Sequence, residues 1–485
     1  MFEDGLTRRN SLQVGAAALA AGSVPAVARP RHKHAVKSVD VLILGAGMSG
    51  LHAARLLEQQ GVSVQVIEGS GRVGGRCWTK RDIQGRPELG AQQIGADYGR
   101  VRGNAGDLGI ELVAPPKGSS AETNLPPLAI SLGGAAPISN WSASPMNKLS
   151  PDERKFSPLA LLSHYLLKND PLGDLEDWRN SKFRNIDRMS LGQYLAKQGA
   201  SPEAIRLVSV GAPVHDLDDA SALDSLRKSH YYAFSAKVGG YHIVKDGTDA
   251  LTSAMATSLK RPVLVNKIVA HIATTAVGVS VTCRDGSTYR ARSAISTIPP
   301  TVFKDIPVTG PATVAQRASW NRQRLAHLVQ VYFKVSSPFW EKDGLPATMY
   351  TDGPAELFIH APSLVEPLGI YYAYINGSAA DPAAQMSDSD LGKMVLGELL
   401  NRRPAAAGKV EVSYIHRWAT YPFSKGHIAY RQPGDITAYG DIAEKPVGAL
   451  YFAGEHLART QAGIEGACES AEAAVLALLP AIGKA

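Results

Sequence analysis

The pattern of apolar and polar positions changes character three times after Val39. Val39-Asp40-Val41-Leu42-Ile43-Leu44 is an almost unbroken apolar run, as a strand buried on both faces requires. Over residues 51–60 the apolar Leu51, Ala54 and Leu57 recur at helical spacing, which predicts an amphipathic helix. Residues 63–67 return to a short apolar strand that ends at Glu68. Strand, helix and strand in this order predict a βαβ unit, whose strands lie parallel because the helix carries the chain back. Residues 151–229 read as mainly helical, with Asp216, Asp218 and Asp219 as turn or cap residues. Val263 to Val265, Ile268 to Ala270 and Val279 to Cys283 form a β-rich stretch turned at Asp285-Gly286. Residues 115–145, rich in Pro, Gly, Ala and Ser and without periodicity, read as a long loop or lid.

Composition narrows the class without naming a chemistry. The 485-residue chain is 45% hydrophobic and 20% charged, which excludes both a disordered chain and a multi-span membrane protein. The length suggests two or three domains. A net charge of +7 is spread over scattered Lys and Arg, so a solvated surface accounts for it and nucleic acid is not an expected partner. Cys77, Cys283 and Cys468 make neither a disulfide framework nor a CxxC metal spacing, and His215 and His230 offer no ligand spacing, so no metal is expected.

The N-terminus is set apart from the fold. Thr7-Arg8-Arg9-Asn10-Ser11-Leu12-Gln13 precedes a stretch rich in Ala, Val and Gly, and Ala26-Val27-Ala28 is a small-residue cleavage site. Together they resemble a twin-arginine export signal over residues 1–28, departing from the usual pattern at Ser11 and Gln13. The mature protein is therefore expected in the periplasm or outside the cell. No later stretch reaches the ~18 uninterrupted apolar residues of a transmembrane helix.

The candidate chemistry begins where the first strand ends. Gly45-Ala46-Gly47-Met48-Ser49-Gly50 is a GxGxxG turn between strand and helix. Gly45 permits the tight turn, Gly47 lets a pyrophosphate approach the backbone, and Gly50 lets helix and strand pack closely. The helix N-terminus then faces the phosphates. Glu68 can accept both hydroxyls of an adenosine ribose and disfavours a 2′-phosphate. A second glycine-rich loop follows, Glu68-Gly69-Ser70-Gly71-Arg72-Val73-Gly74-Gly75-Arg76, which suits a ligand longer than NAD, with Arg76 at its pyrophosphate or its flavin.

From this loop onward the chain resembles the flavin-containing amine oxidases, the family of monoamine, polyamine and L-amino-acid oxidases. The resemblance rests on that loop, on Glu88-Leu89-Gly90-Ala91-Gln92-Gln93-Ile94-Gly95, on Asp246-Gly247-Thr248, on Ala294-Ile295-Ser296-Thr297-Ile298-Pro299-Pro300, and on Leu450-Tyr451-Phe452-Ala453-Gly454-Glu455-His456 leading to Gly463-Ile464-Glu465-Gly466-Ala467. It implies a Rossmann-like FAD-binding domain assembled from residues 36–100, 240–310 and 415–480, and a substrate domain of helices and a sheet from 101–239 and 311–414. It further implies that Gly90, Ala91, Gln92 and Gln93 run beside the isoalloxazine and that the backbone at Ile268 touches the adenine. Glu455 would bond the ribitol, and Gly454, Gly463 and Ile464 would wall the flavin.

At the reaction centre the chain departs from its relatives. Counted back from Pro338-Phe339-Trp340, Gln330 stands where many relatives carry a lysine near flavin N5 that is associated with fast reaction with oxygen. His427 and Gly463 take the places of the two aromatic walls that guide a small amine, so a bulkier substrate is expected. Gly426 stands where monoamine oxidases carry the cysteine that bonds the flavin, which implies non-covalent FAD. Trp418 matches the family and is expected near the flavin. The expected activity is FAD-dependent oxidation of an amine to an imine that water hydrolyses, with oxygen as the default acceptor and hydrogen peroxide as product. A dehydrogenase or desaturase of a phenolic, terpenoid or other non-amine compound, passing electrons to a periplasmic carrier, is the alternative. The expected partners are thus a small-molecule substrate and oxygen or an electron carrier, and a homodimer is compatible with the resemblance.

Overall fold

The computed structural model describes residues 39–116 and 127–484. The expected export signal, with Arg8 and Arg9, lies outside the described residues. No helix among them is long and apolar enough to cross a membrane.

Four sheets organise the chain. In the largest, β1 (Val39–Leu44), β2 (Val64–Ile67), β9 (Thr288–Ser296) and β18 (Leu450–Phe452) run parallel. β1 lies between β2 and β9, with Leu42 opposite Gln65 on one side and Ala294 on the other. β7 (Val269–Thr274) and β8 (Val279–Cys283) meander antiparallel onto the first half of β9, while β18 takes its second half, and β10 (Val308–Thr309) closes the edge. Three stretches far apart in sequence thereby share one sheet. The apolar run of β1 is needed because both faces are covered. Val41 and Ile43 pack with Leu51 and Leu57 of the helix Met48–Gln59 and with Ile464, Ala471 and Val475 of the helix Gly463–Leu478. Leu42 and Leu44 pack on the opposite face with Phe303, Trp320 and Phe452. Each such fully buried aliphatic side chain contributes about 1.5–3 kcal/mol.

The second sheet has the order β16 (Val410–Arg417), β12 (Leu328–Val335), β15 (Ile370–Asn376), β14 (Leu357–Ala361), β13 (Thr348–Thr351) and β5 (Leu128–Ser131), antiparallel except for the last pair. Its β12 shows the two-residue alternation of a strand between unlike surroundings. Val329, Val331, Phe333 and Val335 face Leu391, Val395 and Leu399 of the helix Asp388–Arg402. Leu328 and Tyr332 face the other way, toward Leu89 and Trp418. A two-stranded ribbon of β11 (Arg324–Ala326) and β17 (Ile428–Tyr430) and a small sheet of β3 (Ile94–Gly95), β6 (Tyr241–Val244) and β4 (Leu112–Val113) complete the set.

Residues 158–238 are mainly helical, as their sequence predicts, and share one core. Ser190 closes a capping box with Gln193, and Ser201 and Ser221 cap the helices that follow them. The expected lid at 115–145 is different in part. Leu128-Ala129-Ile130-Ser131 is an edge strand pairing with β13, and Ala129, Ile130 and Ser131 are buried. The short apolar run was hidden among glycines and prolines, and the neighbouring strand supplies the pairing that makes it a strand.

Candidate active site

The turn after β1 is shaped by what its glycines lack. Gly45 has φ +111°, and a Cβ there would stand 2.5 Å from Thr297 Oγ1. A Cβ on Gly50 would stand 2.0 Å from the Gly45 carbonyl oxygen, so only glycine lets helix and turn close. A Cβ on Gly47 would meet nothing within 4 Å, because this position faces open space. Glu68, 8% exposed, ties the turn to β2: its Oε2 accepts from the Ala46 amide at 2.7 Å and its Oε1 from the Ser70 amide at 2.8 Å. Each oxygen keeps a lone pair for a ligand hydroxyl.

That open space is a cleft of about 320 Å³. At one end it is walled by Glu68, Gly69, Lys267 and Ile268, and in the middle by Gly45, Gly47, Met48 and Ser49. At the other end stand Arg76, Gly90, Ala91, Trp418, His427, Gly454, Glu455, Gly463 and Ile464. Two helix N-termini, at Met48 and at Gly463, open into it, each with first-turn amides and the positive end of a dipole. Ser49 Oγ and Ser424 Oγ, both from residues of the cleft wall, are buried without a hydrogen-bond partner in the protein.

The far end is held by charge. Arg76 Nη1 donates to Glu455 Oε1 at 2.7 Å and to the His427 carbonyl at 2.8 Å. Oε1 also accepts from the Ala429 amide at 2.8 Å, leaving Oε2 without a partner among the described residues. Burial alone would raise the Glu455 carboxyl, but Arg76 and Lys228 together hold it below its usual range. His427 is fixed by one carbonyl, since both its backbone amide and its Nδ1 lie 2.9 Å from the Ala326 oxygen. A carbonyl only accepts, so Nδ1 carries the proton and Nε2 presents a lone pair, 3.4 Å from Tyr374 Oη. Burial pushes this imidazole down to about 4, so it stays neutral near pH 7. Trp418 is fully buried and its Nε1 donates to the Leu89 carbonyl at 2.8 Å.

A long cleft with a glycine turn, two helix N-termini and orphaned hydroxyls fits a dinucleotide carrying a flavin. The sequence profile described as "Flavin containing amine oxidoreductase" matches residues 48–479. The chain belongs to this family. As a flavin-containing amine oxidoreductase it is 26% identical over 486 residues to human "Amine oxidase [flavin-containing] B", covering 92% of this chain and 87% of that protein. It is 27% identical over 482 residues to "Flavin-dependent L-tryptophan oxidase RebO" of Lentzea aerocolonigenes, covering 90% and 97%. Its fold is that of cyclohexylamine oxidase from Brevibacterium oxydans IH-35A, with a TM-score of 0.76 at 22% identity over 92% of this chain and all of that one. Putrescine oxidase bound to putrescine gives 0.75 at 22% identity, covering 91% and 99%.

The cofactor of this flavin-containing oxidoreductase is FAD, held without a covalent bond. Gly426 has no thiol, and with φ +143° a Cβ there would stand 2.4 Å from Leu325 Cβ. Cys77 lines the cleft, but burial pushes its thiol up to about 12, far from the thiolate that a bond to the flavin needs.

Among the residues singled out from the sequence, Ala46 and Gly50 support the turn from behind rather than line the cleft. Gln92 and Gln93 do not line it either; the strand-like segment leaves the cleft after Ala91, and Gln92 is exposed. Gln330 is also outside the wall. It is 4% exposed, lies opposite Tyr374 and His416 in neighbouring strands, and its Oε1 has no partner. Leu328, whose carbonyl accepts from the Ala419 amide at 3.3 Å, is the β12 residue level with Trp418. Gln330 lies between Leu328 and Tyr332 on the side of β12 that faces Leu89 and Trp418. Thr297, Tyr421, Phe423 and Ser424 wall the cleft without having been singled out, and Tyr374 meets His427. Their only sequence signal was adjacency to the matched motifs.

Proposed function

We propose that the protein is an exported oxidase of amines bulkier than those a two-ring cage would hold, producing an imine that water hydrolyses and passing the electrons to oxygen as hydrogen peroxide. Bound FAD supplies the two-electron acceptor for the substrate hydride. The observation that carries the amine reading is the tautomer of His427. Its unprotonated Nε2, held only by a long 3.4 Å contact with the Tyr374 hydroxyl, can exchange that contact for an amine N–H, and its neutrality leaves no positive charge to repel an amine that is protonated before it reacts. Trp418 and the Leu89 segment it is tied to exclude water on one side. Open space where a Cβ on Gly463 would stand supports a larger substrate, as does the likeness to an L-tryptophan oxidase. The helix N-terminus at Gly463 favours the negative charge that a reduced flavin carries.

The test is anaerobic. Primary, secondary and amino-acid amines are added singly to the purified protein and the visible flavin band is followed, then air is admitted. Bleaching by a bulky amine with rapid recovery in air is expected. Bleaching by none of the amines, with bleaching by a phenolic or terpenoid compound, would overturn the amine reading. Gln330, on the Trp418 side of β12, favours a second reading of the acceptor, because an amide offers no cation there; reduced flavin that persists in air and recovers with a quinone would establish it. Export rests on the arginine pair, and a folded reporter carrying residues 1–35 should leave the cytoplasm with Arg8-Arg9 and remain inside with both changed to Lys.

A further inference from the structure

Three segments outside the cleft bring two imidazoles and a carboxylate to one place. His215 lies in the loop before the helix Ala222–Val238, His327 is the single residue between β11 and β12, and Asp381 lies in the first turn of the helix Ala380–Gln385. Their ligand atoms all lie within 4.8 Å of one another. Asp381 divides its carboxylate between the two rings: Oδ1 is 2.5 Å from His327 Nδ1 and Oδ2 is 3.4 Å from His215 Nε2. The rings stand edge to face with centroids 4.9 Å apart. Among the described residues no lysine or arginine pairs with Asp381.

The main chain holds this arrangement by itself. The Ser378 amide donates to the His215 carbonyl at 2.8 Å, and the Gly377 amide donates to the His327 carbonyl at 2.9 Å. Gly377 has φ +58°, and a Cβ there would stand 2.5 Å from the His215 oxygen, so the close approach of the segments depends on glycine. The turn that leads into Asp381 is thus tied to both histidine segments before any ion binds. Bonds of about 2.0–2.1 Å in a tetrahedron place ligand atoms about 3.4 Å apart. The Asp381–His215 separation already has that value, the Asp381–His327 pair must open from its present hydrogen bond to reach it, and the imidazole pair reaches it by side-chain rotation. Imidazole with one carboxylate suits zinc and its neighbours rather than magnesium or calcium. Asp381 is half-exposed, so a fourth position stays open to water.

We propose that His215, His327 and Asp381 bind one divalent transition-metal ion, with zinc as the probe, and that the ion staples the loop, the β11–β12 junction and the helix Ala380–Gln385 together. The staple reaches the reaction centre through one residue, because Ala326, beside His327, supplies the carbonyl that orients His427. The test uses tag-free holoprotein, stripped with a chelator and then titrated with zinc by calorimetry, with elemental analysis after dialysis. One zinc per chain is expected. His215→Ala, His327→Ala and Asp381→Asn should each weaken binding by roughly 100-fold with the flavin band retained, and His271→Ala should not. Zinc should also slow hydrogen exchange in peptides spanning residues 324–328 and 377–381 of the wild type. Should His327→Ala fail to fold, the other two variants carry the test. Zinc uptake equal in wild type and variants would overturn the site, and unchanged exchange with zinc bound would overturn the staple.

Discussion

The two ends of the cleft recognise their ligand by different means. At the dinucleotide end the work is done by main chain: Gly45, Gly47 and Gly50 set the path, amides of the helix Met48–Gln59 point outward, and Glu68 locks the turn. At the reactive end it is done by side chains from distant segments, Arg76, Trp418, His427 and Glu455, which reach one another across the fold. A main-chain site tolerates almost no added atom but any neighbour of the right shape. A side-chain site can change its chemistry while the fold stays, and His427 and Gly463 stand in the part of the wall where such a change acts.

The sharpest break should come at the first end. Gly50→Val puts a side chain on the Gly45 carbonyl and should leave no protein that keeps the flavin band, whereas Gly463→Ala, with open space around it and only the strain of a left-handed φ of +61°, should keep the band; absorbance per chain distinguishes them. Next is Arg76→Ala, which strands the buried Glu455 and should cost about 3–5 kcal/mol, read from denaturant melts. The reactive end should also dominate the acid response. Burial pushes His427 down to about 4 and, with like charges nearby, His416 and His456 down to about 3, all from an ordinary 6.5. The unfolded chain therefore binds protons first, so stability is fully present above pH 6.5 and lost as pH falls toward 4. A melting temperature that falls between about pH 6.5 and 4, and falls less in His416→Phe, is the expected result. A finer test separates two neighbours on β12. Gln330→Lys should quicken recovery of the flavin band in air, while Leu328→Lys should leave recovery unchanged, and both should lower stability by burying a charge. The smallest effect is Trp418→Phe, which removes one hydrogen bond to Leu89 and should cost about 1 kcal/mol.

The same contrast explains what could be read from the chain itself. Val39 to Glu68 is one βαβ unit, and most features of its turn follow from neighbours within that unit, so strand, turn and acid were legible together; the contact of Gly45 with Thr297 was not. The reactive end depends on pairing between strands. Leu328 is level with Trp418 because β12 pairs with β16, and no count along the sequence contains that register. The count along the chain placed Gln330 on β12, and strand pairing set what it lies beside. His215 and His327 show the same limit, since their meeting at Asp381 has no sequence spacing at all. The edge strand at 128–131 went unread because its partner, β13, lies far along the chain.

The central sheet is finished late. β1 leaves the ribosome long before β18, which lies beside β9, and before the helix Gly463–Leu478 that packs against the first helix. Until then one wall of the cleft, with Glu455 and Ile464, does not exist. A prematurely terminated chain can form the nucleotide turn but cannot enclose the flavin. Colour in this protein thus reports that the first and last strands of one sheet have met, because only then is the cleft closed around a flavin.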